Sequence, residues 1–241
     1  MNKESLDGKK NPSLALLVPP GNEKRYIEID MIRGVAILLV VFYHLIFDLS
    51  YFQVIQINLH SGFWLYFQRL AATLFVLIFG ICIAISAQKP SVVKRFSTRA
   101  LKLGAVAALI TIATWFYIPT EVILFGVIHF FTIATLLSLL FVSLRKWNLP
   151  IGIAFILIGL HVNAMNTTNP LLVLFGIPTV GMHALDYFPL LPWFGVVLIG
   201  IAIGNYVYVV RKIKFQVEGT KLLALLVILE KIHLQFTYFI N

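Results

Sequence analysis

Charged residues are scarce in this sequence of 241 residues. Asp, Glu, Lys and Arg make up 12% of the chain and hydrophobic residues 60%, and the mean hydropathy is +0.92. A soluble domain contains about 25% charged and about 45–50% apolar residues. The composition therefore excludes a water-soluble enzyme, a nucleic-acid-binding module and a disordered chain, and it indicates a membrane protein with no nucleic-acid partner.

Cysteine is nearly absent, since Cys82 is the one cysteine in the chain. A single thiol excludes a disulfide framework and a cysteine-based zinc site, and the apolar run around Cys82 indicates a small core residue. The sequence has no His-x-x-x-His or His-x-x-Glu-His pattern at the spacing of zinc ligands. It also has no Gly-x-Ser-x-Gly motif and no glycine-rich phosphate loop. We therefore expect no bound metal.

Long apolar runs make up most of the sequence. A helix that crosses a bilayer needs about 20 mostly apolar residues. Such runs occupy residues 31–51, 63–87, 101–118, 122–144, 149–162, 190–210 and 222–240. They predict an all-α, polytopic membrane helix bundle of about seven spans, six at the least. The apolar stretch at 171–175, inside the long connection 163–189, is expected to re-enter the membrane or lie at its surface.

The basic residues alternate with the spans. All of the 19 Lys and Arg residues except Arg69 and Lys231 flank the same ends of the apolar runs. Because positive residues flank the cytoplasmic ends of spans, this pattern predicts a cytoplasmic N-terminus. The formal net charge of +9 is then an orientation signal. Residues 1–25 are expected to form a flexible cytoplasmic tail, and residues 26–241 a single transmembrane domain in the cell membrane.

Titratable residues gather toward the other side of the predicted bundle. Charged groups at membrane depth are costly and usually functional. All histidines but His233 fall on the outer half. The set with its neighbouring charged residues is His44, Asp48, His60, Arg69, Glu121, His129, His161, His183 and Asp186. This clustering favours a polar site at the outer ends of the helices.

His44 and Asp48 form the strongest candidate pair. They are four residues apart, so they share one face of a helix. A carboxylate beside an imidazole raises its basicity and fixes its tautomer, which is the usual arrangement of a general base. The alternative is a histidine at a helix end that only hydrogen-bonds across the bundle, with Asp48 as a solvated interfacial charge.

The other outer candidates each have a structural alternative. His60 precedes an aromatic membrane-interface segment, where a loop histidine is usually solvated. Arg69 needs an anion, which is either a structural partner such as Asp48 or Asp186, or a substrate. His129 is either a packing residue or a functional one. Asp186 precedes a span and is either a helix cap or a functional carboxylate.

The first span carries a motif that is similar to motifs of known protein families. It reads Glu28-Ile29-Asp30-Met31-Ile32-Arg33-Gly34-Val35-Ala36, with His44 eight residues further on. A second motif reads Asp186-Tyr187-Phe188-Pro189-Leu190-Leu191-Pro192-Trp193-Phe194-Gly195. Over about residues 25–210 the chain resembles the heparan-alpha-glucosaminide N-acetyltransferase catalytic-domain family (the DUF1624 group). The Asp-x-x-Arg-x-x-Ala pattern with its histidine is also similar to the transmembrane acyltransferase superfamily.

The resemblance implies transfer of an acetyl group from cytosolic acetyl-CoA to an amine or hydroxyl of a sugar outside. It implies His44 or His60 as the catalytic base and Asp48 as the residue that orients it. The surface-sugar acyltransferases favour His44, whereas the eukaryotic enzyme favours His60. The donor would be held by Arg33, Lys94 and Arg95 on the cytoplasmic side. Its thioester would meet Arg69 or a histidine as the oxyanion stabiliser, with His129 and Asp186 supporting the acceptor.

The chain departs from the resembling group at its end. Residues 221–241 place Glu230, Lys231 and His233 in or after an apolar run, where prokaryotic members carry a Ser-Leu-x-x-Tyr-x-x-His-like pattern. Two other functions therefore stay open: a transporter or channel whose outer cluster binds a solute or relays protons, and a non-catalytic membrane subunit. The expected partners are acyl-CoA, a glycan or glycolipid acceptor, the lipid bilayer and a second copy in a homodimer.

Overall fold

The computed structural model describes residues 26–179 and 186–213. Residues 1–25, 180–185 and 214–241 lie outside this part, and with them His183, His233 and the predicted span 222–240. The six α-helices are α1 (Ile27–Tyr51), α2 (Gly62–Ser86), α3 (Val92–Tyr117), α4 (Val127–Phe141), α5 (Asn148–Val162) and α6 (Leu190–Gly204). Two 3₁₀ helices (Val142–Trp147 and Pro170–Phe175) and a π-helix (Asn205–Val210) complete the set. The described residues form no β-strand, so the all-α prediction is confirmed.

Five helical segments in this part are long and apolar enough to cross a membrane. They are α1, α2, α3, the continuous segment Val127–Val162 and the segment Leu190–Val210. The predicted runs 122–144 and 149–162 both fall in the segment Val127–Val162, which contains the two helices α4 and α5. The span count of about seven and the cytoplasmic N-terminus stay predictions.

The segment Val127–Val162 folds back on itself at Arg145. Arg145 has a φ of 47° and a ψ of −109°, which no helix can contain. The side-chain amide of Asn148, the first residue of α5, donates a 2.9 Å hydrogen bond to the carbonyl of Phe141, the last residue of α4. This bond links the end of α4 to the start of α5.

α6 is the centre of the bundle. A Cβ added at Gly152 of α5 would stand 2.7 Å from the carbonyl oxygen of Gly195, and one at Gly159 would stand 2.6 Å from Pro192. α5 and α6 are therefore antiparallel and in backbone contact. α2 approaches the opposite side of α6 just as closely, where Gly80 and Gly200 meet. Small residues that admit such approaches are typical of membrane helices.

Two helix starts differ from the prediction by five residues or more. α3 begins at Val92 rather than 101, because the basic residues in its first turns belong to the helix and not to the loop before it. α4 begins at Val127 rather than 122, since residues 118–126 are non-helical and contain Pro119. Pro119 cannot donate a backbone hydrogen bond to a continuing helix.

The outside of the bundle is apolar. Leu101 and Phe116 of α3 and Leu140 of α4 are about three-quarters exposed, at 76%, 77% and 69%. A water-soluble protein rarely exposes contiguous apolar surface of this kind. The exposed faces suit the hydrocarbon of a bilayer.

Candidate functional site

The bundle has two polar ends. The one we call the histidine end is defined by His44, His129 and Asp186. The other, the basic end, is defined by Arg33, Arg95 and Arg99. The helix directions keep these sets apart, since α1 runs from Arg33 to His44 and α3 runs from Arg99 toward the residues that contact His129.

His129 is held at both ring nitrogens in the first turn of α4. The hydroxyl of Thr111 in α3 donates to the carbonyl of Ile123 at 2.8 Å, and its oxygen lies 2.9 Å from Nε2 of His129. Because the one hydroxyl proton of Thr111 is already used, Nε2–H must be the donor to Thr111. Nδ1 accepts from the backbone N–H of Gly126 at 3.3 Å. The His129 ring is thus fixed in one tautomer and links α3 to α4.

Asp186 sits against the same helix start. Its Oδ2 accepts a 2.7 Å hydrogen bond from the backbone N–H of Val127. A Cβ added at Gly126 would overlap Oδ2 and stand 2.8 Å from Cγ of Asp186. Glycine at position 126 therefore makes room for the carboxylate. The backbone N–H of Phe188 adds a 3.0 Å bond to the carbonyl of Phe125, which ties the segment after Asp186 to the α4 start.

Two imidazoles act electrostatically on Asp186. Burial raises the pKa of the Asp186 carboxyl above its ordinary value, whereas the Val127 hydrogen bond and the imidazoles of His44 and His129 lower it. This interaction brings three sequence-predicted site residues together at one end of the bundle. Asp186 is the carboxylate among them.

His44 offers a free ring nitrogen. Its Nδ1 lies 2.9 Å from the carbonyl oxygen of Val40, one turn earlier in α1. A carbonyl only accepts, so Nδ1 carries the proton and Nε2 keeps its lone pair. The ring is exposed in an open, shallow depression with Asp48. The hydrogen bond that sets its tautomer goes to Val40 rather than to Asp48.

His60 and Arg69 lie on the neighbouring chain segment at this end. His60 is exposed, and its backbone N–H donates to Oδ1 of Asn58 at 3.0 Å. The start of α2 packs beside α1, with the ring of Phe42 centred 6.2 Å from that of Trp64. Arg69 is exposed, and in the described part of the chain no carboxylate pairs with it. The roles of His60 and Arg69 stay predictions.

At the basic end Arg33 joins α1 to α2. Its Nη1 lies 3.4 Å from Oδ1 of Asp30, three residues earlier in α1. Its Nη2 lies 3.0 Å from Sγ of Cys82. Cys82 is therefore a partly buried acceptor for a guanidinium as well as a packing residue.

Arg95 forms hydrogen bonds to the turn between α2 and α3. Its guanidinium donates to the carbonyls of Ser86, Lys89 and Pro90 and to the hydroxyl of Ser86, over 2.8–3.1 Å. These bonds cap the C-terminal end of α2, where carbonyls lack helical partners. Lys94 is exposed beside it. Arg95, which was predicted to hold the donor with Arg33 and Lys94, thus has most of its hydrogen-bond donors occupied by the protein itself.

Several residues of these ends were missed from the sequence. Thr111 and Gly126 carried no signal, because their roles depend on partners 18 and 60 residues away in sequence. Arg99 was counted only among the basic residues that flank the predicted spans, although its spacing of four from Arg95 places both on one helical face. In the described residues no group of three or more His, Cys, Asp and Glu side chains could hold a metal ion.

One of the three comparisons with known proteins identifies a family. No curated protein and no solved structure matches the chain. The family profile described as heparan-alpha-glucosaminide N-acetyltransferase, catalytic, matches residues 25–241. This range takes in both polar ends and every helix described above. The chain belongs to the heparan-alpha-glucosaminide N-acetyltransferase catalytic-domain family.

Proposed function

We propose that this protein moves an acetyl group from cytosolic acetyl-CoA to an amine or hydroxyl of a sugar on the far side of the cell membrane. The family is one of membrane acetyltransferases whose acetyl donor is acetyl-CoA. The observation that carries the proposal is the separation of the polar groups into a basic end and a histidine end. An anionic donor and a neutral nucleophile suit these two ends respectively.

α1 relates the two ends. Arg33 and His44 are 11 residues apart on one helix, which corresponds to about 16 Å at 1.5 Å per residue. The phosphates of the donor would stay with the arginines, and its long pantetheine arm would carry the thioester toward His44. This division explains why one helix bears both the arginine motif and the candidate base.

The transfer step uses the free nitrogen of His44. Nε2 accepts a proton from the acceptor amine or hydroxyl, which then attacks the carbonyl carbon of the thioester. The tetrahedral intermediate collapses by breaking the C–S bond, and the CoA thiolate takes the proton from the imidazolium. Asp186 is the supporting carboxylate at this end, and Arg69 is the candidate group for the oxyanion. His60 is the alternative base.

An assay with purified protein tests the proposal. The protein, reconstituted in liposomes, is given radiolabelled acetyl-CoA and an amino sugar, and acetylated sugar is measured. We expect transfer by the wild type and a loss of at least about 100-fold in His44→Ala, since general-base catalysis contributes about 10²–10⁴-fold. A loss confined to His60→Ala would transfer the role to His60.

His161 provides a matched control. It is exposed at the C-terminal end of α5 and makes no described contact with the histidine end. His161→Ala should therefore keep the wild-type rate. Absence of acetyl transfer by the wild type, together with flux of a solute that does not need CoA, would contradict the proposal in favour of a transporter.

A further inference from the structure

Two arginines from different helices meet over one face of α2. Arg33 of α1 contacts Sγ of Cys82 at 3.0 Å. Arg99 of α3 lies over the ring of Phe79, with its Cζ atom 5.2 Å from the ring centroid. Phe79 and Cys82 are three residues apart in α2 and so lie on the same helical face. The two guanidiniums interact electrostatically with each other and with Cys82.

Arg99 has unused hydrogen-bond donors in the described part of the chain, whereas Arg33 pairs with the carboxylate of Asp30 at 3.4 Å. Within residues 26–179 and 186–213, the guanidinium of Arg99 has no hydrogen-bond acceptor, although it carries five N–H donors. Its nitrogen atoms are not among the fully buried atoms that lack a partner, so they keep some exposed surface. An anion that accepts from these donors would also offset the repulsion between the two guanidiniums.

We propose that Arg33 and Arg99 form a binding site for a phosphate group, in which Arg99 supplies the free hydrogen-bond donors. The planar guanidinium matches two phosphate oxygens at once. The ligand class is a phosphate ester or diphosphate, and its source is the CoA part of the acyl donor. The inference rests on the proposed function for that source. The phosphate of an inner-leaflet lipid has the same chemistry and is distinguished by the test.

The site differs from the one that the sequence predicted. Arg95 donates its hydrogen bonds to the end of α2, and Lys94 lies on the exposed surface of α3. Arg99 is one helical turn further into the bundle than Arg95, above the aromatic ring of Phe79. Binding energy for the phosphate is therefore assigned to Arg99, with Arg33 as its partner.

The test measures CoA binding by purified protein in nanodiscs of neutral phosphatidylcholine. Arg99→Gln should weaken CoA binding by at least about tenfold, because a charge-assisted hydrogen bond contributes about 1.5–3 kcal/mol and each 1.36 kcal/mol is tenfold. Arg99→Lys keeps the positive charge but loses the planar arrangement of donors. Its CoA affinity should therefore lie between those of the wild type and Arg99→Gln. Binding of S-acetylpantetheine, which has no phosphate, should be equal in all three proteins.

Arg211 supplies the matched control. It also lies over an aromatic ring, that of Tyr206 at 5.3 Å, but its guanidinium already donates to the Tyr206 hydroxyl at 3.0 Å. Arg211→Gln should bind CoA as the wild type does. Equal CoA affinities of Arg99→Gln, Arg99→Lys and wild type would overturn the inference and leave the proposed function intact.

A further arm separates the two phosphate sources. The wild type and Arg99→Gln are purified from membranes containing anionic phosphatidylglycerol, and the retained lipid is counted. If the wild type binds no CoA and Arg99→Gln retains less anionic lipid, the phosphate site stands and the donor as its source is overturned, together with the proposed function. If neither the binding of CoA nor the retention of anionic lipid changes in Arg99→Gln, the phosphate site itself is overturned.

Discussion

The carboxylate of Asp186 caps the start of α4 by accepting a 2.7 Å hydrogen bond from the backbone N–H of Val127, 59 residues away in sequence. The first N–H groups of a helix have no partner within it, and its dipole favours a negative charge there. The same helix start holds His129 between Gly126 and Thr111. Asp186 therefore fixes the helix end that carries one site histidine, His129, and the imidazole of the other, His44, lowers the pKa of the Asp186 carboxyl.

Gly126→Ala should displace Asp186 without removing any charged group. The added Cβ would overlap the carboxylate and stand 2.8 Å from Cγ2 of Ile123. Overpacking of this kind costs about 1–3 kcal/mol. We expect a lower temperature of thermal unfolding and a loss of acetyl transfer that resembles that of Asp186→Asn. Thermal unfolding in detergent and the liposome assay measure the two effects.

Gly104→Ala is the control for this substitution. A Cβ at Gly104 meets only Cγ2 of Thr132, at 3.4 Å, which is ordinary contact. Since alanine favours a helix over glycine by about 0.5–1 kcal/mol, this variant should be as stable as the wild type or more so. If Gly126→Ala and Gly104→Ala behave alike, Asp186 does not need the space at position 126.

Arg95→Gln should destabilise the turn between α2 and α3. The guanidinium bonds three backbone carbonyls and the Ser86 hydroxyl, and a hydrogen bond to a charged group contributes about 1.5–3 kcal/mol. Because the site is partly exposed, we expect a total loss of about 2 kcal/mol, read as a lower unfolding temperature. A variant with unchanged stability and weaker CoA binding would instead make Arg95 a ligand of the donor.

The environment of Tyr187 predicts that the stability of the folded protein depends on pH in the alkaline range. Its hydroxyl donates to the carbonyl of Val173 at 2.8 Å, and burial raises the pKa of Tyr187 to about 12 from 10.0. A raised pKa means that the neutral form is favoured in the folded protein. The stabilisation is thus complete below pH 10 and is lost as the pH rises through about 12.

Tyr187→Phe isolates this effect, since all other titrating groups are shared with the wild type. Near neutral pH the variant should be less stable by about 1 kcal/mol, the net value of a hydrogen bond. The difference should shrink as the pH rises from 10 toward 12. Thermal unfolding of both proteins over this range checks it, and a difference that stays constant would contradict a buried, bonded hydroxyl.

Much of the fold could be predicted from the apolar runs. The five segments long enough to cross a membrane fall on predicted runs, because a bilayer demands continuous apolar helices. The break at Arg145 falls between the predicted runs 122–144 and 149–162, whereas the backbone angles that make it leave no pattern in the sequence. The start of α3 was misplaced because Lys94, Arg95 and Arg99 gave it the composition of a loop.

The candidate site was predicted less completely. His44, His129 and Asp186 were singled out, because polar residues in apolar surroundings are visible in a sequence. The partner of each was not, since a contact such as Asp186 with Val127 joins distant segments and leaves no local pattern. Arg95 illustrates the same limit: its charge suggested a ligand, whereas its partners are the carbonyls at the end of α2.

The central claim is that the donor is used at the basic end and the acceptor at the histidine end, on opposite sides of one membrane. Proteoliposomes with an amino sugar trapped inside and labelled acetyl-CoA added outside test it most directly. Because the acetyl group alone crosses, acetylated sugar should collect inside the vesicles in proportion to time, and His44→Ala should abolish it. Acetylation that occurs only when donor and sugar share one compartment would contradict the account.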